Sequence, residues 1–110
     1  MQTEVVDGIL VITMPVRLDA FGVTGIEDDL AETVATHAGK VLVDMAAVNF
    51  IASLALRMLL TNLKAVQQLG GDLRLCGLQP PIAEVFRKSR FDTLFKISTD
   101  RDSALEAYQG

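Results

Sequence analysis

Residues 41–60, with the sequence VLVDMAAVNFIASLALRMLL, carry the clearest structural pattern of this chain. They open with a near-continuous apolar run, which is typical of a central β-strand covered on both faces, and residues 48–51 are expected to extend it. Ser53 then begins a segment in which apolar residues recur at helical spacing. The stretch therefore predicts a buried strand, a short connection and an amphipathic helix with a serine at its start.

The N-terminal part of the chain predicts a hairpin followed by a connection. Residues 3–6 and 9–14 are short β-rich runs separated by Asp7-Gly8, a pair that is typical of a tight two-residue turn. Residues 16–22 are expected to form a connection that carries the acidic residue Asp19.

A first helix is predicted between this connection and the central strand. Thr24 and Glu27 match a capping box, in which the threonine is the N-cap and the glutamate follows three residues later. Gly39 is expected to close the helix just beyond its C-cap. The residues spaced to form its buried face are Ile26, Leu30, Val34 and Ala38.

The second helix is predicted over residues 53–69, and Gly70-Gly71 ends it. Leu54 and Met58 lie on a flank of this helix near its start, so they are expected to be available for contact at the surface. The core-facing stripe consists of Leu56, Leu59, Leu60, Leu63 and Val66, and the polar face of Arg57, Thr61, Lys64 and Gln68.

The C-terminal part predicts two further strand–helix pairs. They are a strand at residues 72–76, a helix from Pro80 or Pro81, a short strand within residues 91–97, and a helix that is capped by Thr99 or Asp100 and ends near Tyr108. The order β-β-α-β-α-β-α-β-α is typical of an α/β protein with a mostly parallel, mixed β-sheet and helices packed on it. We expect residues 1–110 to form a single domain.

Composition and charge argue against several classes of protein. Hydrophobic residues make up 50% of the chain, as is typical of a globular domain. Its net charge of -4 argues against nucleic acid and against an anionic membrane surface as partners. No apolar run approaches the roughly 20 residues that span a bilayer, and no signal peptide is recognisable. With Cys76 as the only cysteine, we expect a cytoplasmic protein without disulfides.

The sequence contains little that could support catalysis. It has one histidine, His37, and one cysteine, so we predict neither a metal site nor a cofactor. Neither of the glycine-rich phosphate-binding motifs is present. A serine nucleophile in a strand–turn–helix elbow would need glycines in place of Ile51 and Ala55, and His37 would be its sole base. We therefore predict that the protein is not an enzyme.

Ser53 is predicted to be the N-cap of the second helix, where its side-chain oxygen would accept a hydrogen bond from an amide of the first turn. A phosphoryl group on Ser53 would face free amides and the positive end of the helix dipole, so the fold could tolerate it. Its charge of about -1.5 to -2 would instead change what can dock beside Leu54 and Met58. These residues favour a docking site that phosphorylation could switch.

The same region resembles a known family. Residues 44–56, DMAAVNFIASLAL, resemble the central motif of the STAS domain of bacterial anti-sigma factor antagonists, whose usual form is close to D-L-S-x-V-x-F-I-D-S-S-G-L. The chain also resembles the family at three other segments, VRLD (residues 16–19), LGGDLRL (residues 69–75) and SAL (residues 103–105). The four segments occur along the chain in the same order as in the family. The chain departs from the usual residues at Val16, Ala52, Leu54 and Ala55, where the family has glycine, aspartate, serine and glycine.

The resemblance implies a regulatory function rather than a catalytic one. Members of the family bind a serine-kinase anti-sigma factor of the GHKL type when they are unphosphorylated, which releases a sigma factor for transcription. The kinase phosphorylates the motif serine, Ser53 here, and binding is lost until a PP2C-type phosphatase restores the hydroxyl. The family's early acidic residue corresponds to Asp19.

We therefore predict a phosphorylation-switched anti-sigma factor antagonist, with no nucleic acid partner and no membrane insertion. The alternative is a non-switching adaptor of the same fold, in a signalling or lipid-transport complex, in which Ser53 is only a helix cap. The candidate partner-binding residues are Asp19, Ala52, Ser53, Leu54, Arg57 and Met58, and Ser53 is the candidate phosphorylation site.

Overall fold

Seven strands and four α-helices occur within residues 1–109, the part of the chain that our computed structural model describes. The strands are β1 (Gln2–Val6), β2 (Ile9–Thr13), β3 (Arg17–Leu18), β4 (Lys40–Asp44), β5 (Phe50–Ile51), β6 (Asp72–Cys76) and β7 (Ile97–Ser98). The helices are α1 (Ala20–His37), α2 (Ser53–Gln68), α3 (Pro80–Lys88) and α4 (Arg101–Gln109). This order confirms the predicted α/β fold, to which β3 and β5 are short additions.

The main sheet has five strands in the order β1-β2-β4-β6-β7. β1 and β2 are antiparallel, and β2, β4, β6 and β7 run parallel to one another. Asp7 and Gly8 join the antiparallel pair with φ angles of 51° and 79°, both in the left-handed region that a two-residue hairpin of this kind requires. The predicted hairpin is confirmed.

The central strand β4 contributes to hydrophobic clusters on both faces of the sheet. Val41 and Val43 belong to the larger cluster, which includes residues of α1, α2 and α3. Leu42 belongs to the smaller cluster, which includes Ala104 and Tyr108 of α4. Because successive side chains of a strand point to opposite faces, both faces are covered by helices, as the apolar run predicted.

The first helix begins earlier than predicted. α1 starts at Ala20, and its N-cap is Asp19, whose Oδ1 accepts a hydrogen bond of 2.8 Å from the Gly22 amide. Thr24 lies inside the helix, and its hydroxyl donates to the Ala20 carbonyl oxygen at 2.8 Å. The predicted cap at Thr24 is therefore wrong, because Asp19 already supplies a side-chain acceptor one turn earlier.

β3 and β5 form a separate, two-stranded parallel sheet in which Leu18 pairs with Ile51. The predicted connection at residues 16–22 thus contains a strand. Residues 48–51 do not extend the central strand, because the chain turns after β4, where the Val48 amide donates to the Met45 carbonyl oxygen at 3.0 Å. The two segments pair with each other instead.

The remaining element ends differ from the predictions by small amounts. The left-handed residue that closes α1 is Ala38, with a φ of 52°, rather than Gly39. The short strand predicted within residues 91–97 is β7, which begins only at the last of these residues and follows a 3-10 turn at Phe91–Thr93. Asp100 caps α4 as predicted, since its Oδ1 accepts a hydrogen bond of 2.8 Å from the Ser103 amide.

Candidate functional site

The small β3–β5 sheet brings the starts of α1 and α2 together. Leu18 pairs with Ile51, and the Ala52 amide donates to the Leu18 carbonyl oxygen at 2.9 Å. Each helix begins shortly after its strand, so Asp19 and Ser53 follow the same end of this parallel pair. Two candidate residues that are far apart in the sequence therefore lie at adjacent helix N-termini.

Ser53 is the first residue of α2 and not its N-cap. The N-cap is Ala52, which has extended backbone angles (φ -92°, ψ 159°). Its carbonyl oxygen accepts from the amides of Ala55, at 2.9 Å, and Leu56, at 3.3 Å. Because the hydrogen bond to Leu18 keeps Ala52 extended, the cap position falls one residue before the serine, and the predicted capping role of Ser53 is wrong.

The first turn of α2 therefore carries unused hydrogen-bond donors. Among the contacts of residues 1–109, neither the Ser53 amide nor the Leu54 amide has an acceptor, and the Ser53 hydroxyl makes no hydrogen bond. Ser53 is exposed. Both amides lie at the positive end of the helix dipole, so an anionic group on Ser53 would meet donors without displacing a native hydrogen bond.

At the start of α1, by contrast, the amides have an acceptor. Asp19 Oδ1 accepts from the Gly22 amide, and Asp19 Oδ2 accepts from Arg17 Nε at 3.3 Å. The hydrogen bond from Gly22 and, to a smaller extent, the Arg17 guanidinium hold the pKa of the Asp19 carboxyl below its usual value. The same guanidinium lies 4.6 Å from the centroid of the Phe50 ring. Asp19 is thus an ordered, negatively charged group beside the start of α2.

Four apolar side chains are exposed on the segments that enter and begin the two helices. We call them the apolar rim: Val16, Phe21, Phe50 and Leu54. Phe21 is 90% exposed and Leu54 is 42% exposed. All four lie within three residues of the paired strands β3 and β5, and exposed apolar side chains grouped in this way are typical of docking surfaces. Sequence reasoning placed Leu54 at the surface but missed Phe21, because it treated residues 16–22 as a connection rather than as the start of a helix.

Met58 lies in the core rather than on an exposed flank. Its side chain is only 6% exposed and belongs to the larger hydrophobic cluster. The prediction was wrong because α1 packs against this side of α2 and covers a flank that looks open in the sequence of α2 alone. Met58 reaches the surface only in the wall of a cleft of about 300 Å³ between the two helices.

Arg57 and two acidic residues of α1, Glu27 and Asp28, also line this cleft. Arg57 is exposed, and it makes no ion pair with any residue from 1 to 109. It follows Ser53 by four residues on α2. The start of α2 therefore combines an exposed hydroxyl, free amides, an exposed leucine and an unpaired cation.

We also searched residues 1–109 for a metal site, a reactive cysteine and a membrane-spanning helix. No group of three or more histidine, cysteine, aspartate or glutamate side chains in residues 1–109 could hold a metal ion. Burial and, to a smaller extent, the charge of Asp44 raise the pKa of the Cys76 thiol to about 12, so this cysteine is protonated and a poor nucleophile at neutral pH. Between residues 1 and 109, we find no helix with the length and apolar character needed to cross a membrane.

The family model described as the STAS domain matches residues 1–104. The chain belongs to the STAS domain family. This confirms the family that the motif around Ser53 indicated.

Several proteins that are similar to this STAS domain are described as anti-sigma factor antagonists. One from Bordetella bronchiseptica, described as the anti-sigma factor antagonist BtrV, is 30% identical over 104 residues, which cover 94% of this chain and 90% of the relative. The crystal structure of an anti-sigma factor antagonist from Mycobacterium paratuberculosis superposes with a TM-score of 0.88 at 21% identity, over 99% of this chain and 92% of that chain. The phosphorylated form of the Bacillus cell fate determinant SpoIIAA gives a TM-score of 0.74 at 18% identity, over 97% of each chain.

By homology and fold, the protein is therefore of the anti-sigma factor antagonist type, which is regulatory rather than catalytic. Its homologues imply anti-sigma factors as the class of partner. The two solved structures are below 25% identity and show the shared fold alone.

Proposed function

We propose that this STAS protein binds a serine-kinase anti-sigma factor of the GHKL type when Ser53 is unmodified and is switched off by phosphorylation of Ser53. Binding of the kinase would release its sigma factor and so activate transcription. The observation that carries the proposal is the exposed, unbonded hydroxyl of Ser53 at the uncapped start of α2, beside Asp19.

The chain itself needs to supply only an accessible hydroxyl for this modification. The γ-phosphoryl group of a nucleoside triphosphate passes to Ser53 Oγ, the hydroxyl proton is lost, and the nucleoside diphosphate leaves. A PP2C-type phosphatase reverses the modification by hydrolysis, which releases inorganic phosphate and restores the hydroxyl. Because Ser53 is exposed and its Oγ makes no hydrogen bond within residues 1–109, neither step breaks a native hydrogen bond.

The unmodified surface has the composition of a docking site. Interfaces gain most of their binding energy from a few anchors, mainly aromatic side chains and arginines, and this surface exposes Phe21, Phe50 and Arg57. Asp19 and Arg57 add one charge of each sign beside it. The contact residues that we propose are therefore Asp19, Ala52, Ser53, Leu54 and Arg57, with Met58 contributing only through the wall of the cleft.

Phosphorylation would oppose docking without unfolding the protein. It adds a charge of about -1.5 to -2 next to Leu54, and a partner that covers the rim would have to desolvate that charge. The free amides at the start of α2 and the helix dipole stabilise the same charge within the folded chain. The phosphorylated form of SpoIIAA, which shares this fold, supports the view that the fold can carry such a group.

The first test is the intact mass of the protein isolated from its native cells, with fragmentation to locate any phosphate. We expect a phosphoryl group on Ser53 that treatment with a PP2C-type phosphatase removes. If no phosphate is found under several growth conditions, the constitutive adaptor becomes the better account, with docking at the same surface and no switch.

The second test compares the capture of the anti-sigma factor by two variants that each add one negative charge to α2. Ser53→Asp should weaken binding about tenfold or more, as expected for an unpaired charge at an interface. Gln67→Glu lies in the last turn of α2 and should bind like the wild type. Circular dichroism should show both variants folded. Unimpaired binding by Ser53→Asp would contradict the switch.

A further inference from the structure

Arg57 and Ser53 are neighbours on one face of α2, because residues four apart on a helix lie above one another. Both side chains are exposed. Arg17, the other cation near this helix start, is already bound to Asp19 and stacked on Phe50. Arg57 has no such partner within residues 1–109, so it is the uncommitted cation beside Ser53.

The charged groups of α1 that share the cleft with Arg57 are both acidic. Glu27 and Asp28 line the cleft, but neither approaches Arg57 closely enough to form an ion pair. Such exposed charges attract one another weakly, because solvent and salt screen them. A phosphate on Ser53 would be a stronger partner, since it carries up to two charges and its oxygens match the planar fork of the guanidinium.

We propose that Arg57 binds the phosphate of phosphorylated Ser53 within the same chain, forming an intramolecular phosphate clamp. The inference rests on the proposed phosphorylation of Ser53. The free amides of Ser53 and Leu54 lie in the same helical turn and add donors to the clamp. Phosphorylation then changes the docking surface twice, because it adds an anion and also withdraws a cation that the unmodified surface offers to a partner.

The clamp can be tested without any kinase, because phosphoserine can be incorporated at position 53 during translation of the full chain. A ³¹P NMR titration then measures the second pKa of the phosphate, which is about 6 for a phosphoserine in general. A bound guanidinium favours the dianion and lowers this pKa. We expect Arg57→Gln to raise it by about 0.2–0.4 of a pKa unit, the size expected for an exposed ion pair four residues apart on a helix.

Lys64→Gln is the matched control, since it removes the same charge from the same helix. Lys64 is exposed and lies on the face of Ser53, but about 16 Å farther along the helix axis. We expect its substitution to move the pKa of the phosphate less than half as far as Arg57→Gln does. Arg57→Lys should retain part of the effect, because the charge remains while the fork is lost. Equal shifts in Arg57→Gln and Lys64→Gln, or no shift in either, would overturn the clamp.

The ¹H–¹⁵N signal of Arg57 Nε gives a second measurement. In the phosphoserine protein it should shift and exchange more slowly with solvent than in the unmodified protein, and an unchanged signal would argue against the clamp. The two proposals fail separately. Absence of phosphate in native cells would refute the switch but not the clamp, and a clamp refuted by titration would leave a phosphate found on Ser53 unaffected.

Discussion

The starts of α1 and α2 lie side by side, but only one of them is capped. At α1, Asp19 accepts hydrogen bonds from the Gly22 amide and from Arg17. At α2, Ala52 offers no side-chain acceptor, and the next two amides have no acceptor within residues 1–109. The absence of a side-chain cap lowers helix stability, and the open start of α2 supports our proposal because it leaves room and donors for an anionic group on Ser53.

The largest effect that we expect is a difference in stability between two substitutions in α2, one in the core and one at the exposed start of the helix. Met58→Ala should lower the free energy of unfolding by about 2–5 kcal/mol, because it removes a buried side chain from the larger cluster. Leu54→Ala, one turn earlier, should change it by less than about 0.5 kcal/mol. Urea denaturation of both variants measures the difference.

The same pair of variants also tests the docking surface. If Leu54 is an anchor, Leu54→Ala should weaken binding of the anti-sigma factor by about 1 kcal/mol or more while the protein stays folded. A loss of stability in Leu54→Ala as large as that in Met58→Ala would place Leu54 in the core and remove it from the rim.

The capped start of α1 depends on a glycine. A Cβ atom at Gly22 would collide with the Arg17 carbonyl oxygen, whereas a Cβ atom at Gly25 would meet no atom from beyond its own turn of helix within 4 Å. Gly22→Ala should therefore lower the free energy of unfolding by about 1–3 kcal/mol. Gly25→Ala, in the same helix, should raise it by up to about 1 kcal/mol, because alanine is the better helix former. Similar unfolding midpoints for the two variants would contradict the close approach at Gly22.

Exchanging the capping residues tests the comparison of the two helix starts directly. Ala52→Asp should provide the missing acceptor at α2 and raise the free energy of unfolding by about 1 kcal/mol. Asp19→Ala should remove the acceptor at α1 and lower the thermal midpoint. Ala52→Ser separates the cap from the added charge, since it supplies an oxygen without a carboxylate. Destabilisation by both Ala52 variants would show that the amides of α2 are not open.

The order of the elements was predictable because each long element carries its own pattern. The apolar run of β4 and the Asp7-Gly8 turn both gave the correct structure. The starts of the helices were not predictable in the same way. They depend on the pairing of Leu18 with Ile51, in strands of two residues each that are too short to show a period. That pairing places Asp19 and Ala52 where the two helices begin.

The sequence allowed candidate site residues to be selected, but it did not reveal how they are arranged. Ser53, Asp19 and Leu54 could be selected from the sequence because they lie in or near recognisable motifs. The burial of Met58 could not, since it results from the packing of α1 on α2. Phe21 was missed for a related reason, because its exposure follows from a helix start that no local pattern revealed.

The smallest effect that we expect is a difference in pH dependence between the two helix starts. The pKa of Asp19 is lowered in the folded protein by the Gly22 hydrogen bond and by Arg17. A carboxyl with a lowered pKa stabilises the fold above its unfolded pKa of about 3.9, and this contribution is lost as the pH falls through the folded value. The start of α2 has no carboxylate at the cap position, so it should contribute no such dependence.

Asp19→Asn isolates this charge, because asparagine keeps the size and the acceptor oxygen of aspartate. Urea unfolding at a series of pH values should show the wild type more stable than Asp19→Asn at neutral pH, with the difference shrinking as the pH falls below about 4. Ala52→Ser changes no titratable group, so its difference from the wild type should stay constant over the same range. If the advantage of the wild type over Asp19→Asn persisted unchanged at low pH, Asp19 would stabilise α1 through its shape and not through its charge, and the two helix starts would then differ in hydrogen bonding alone.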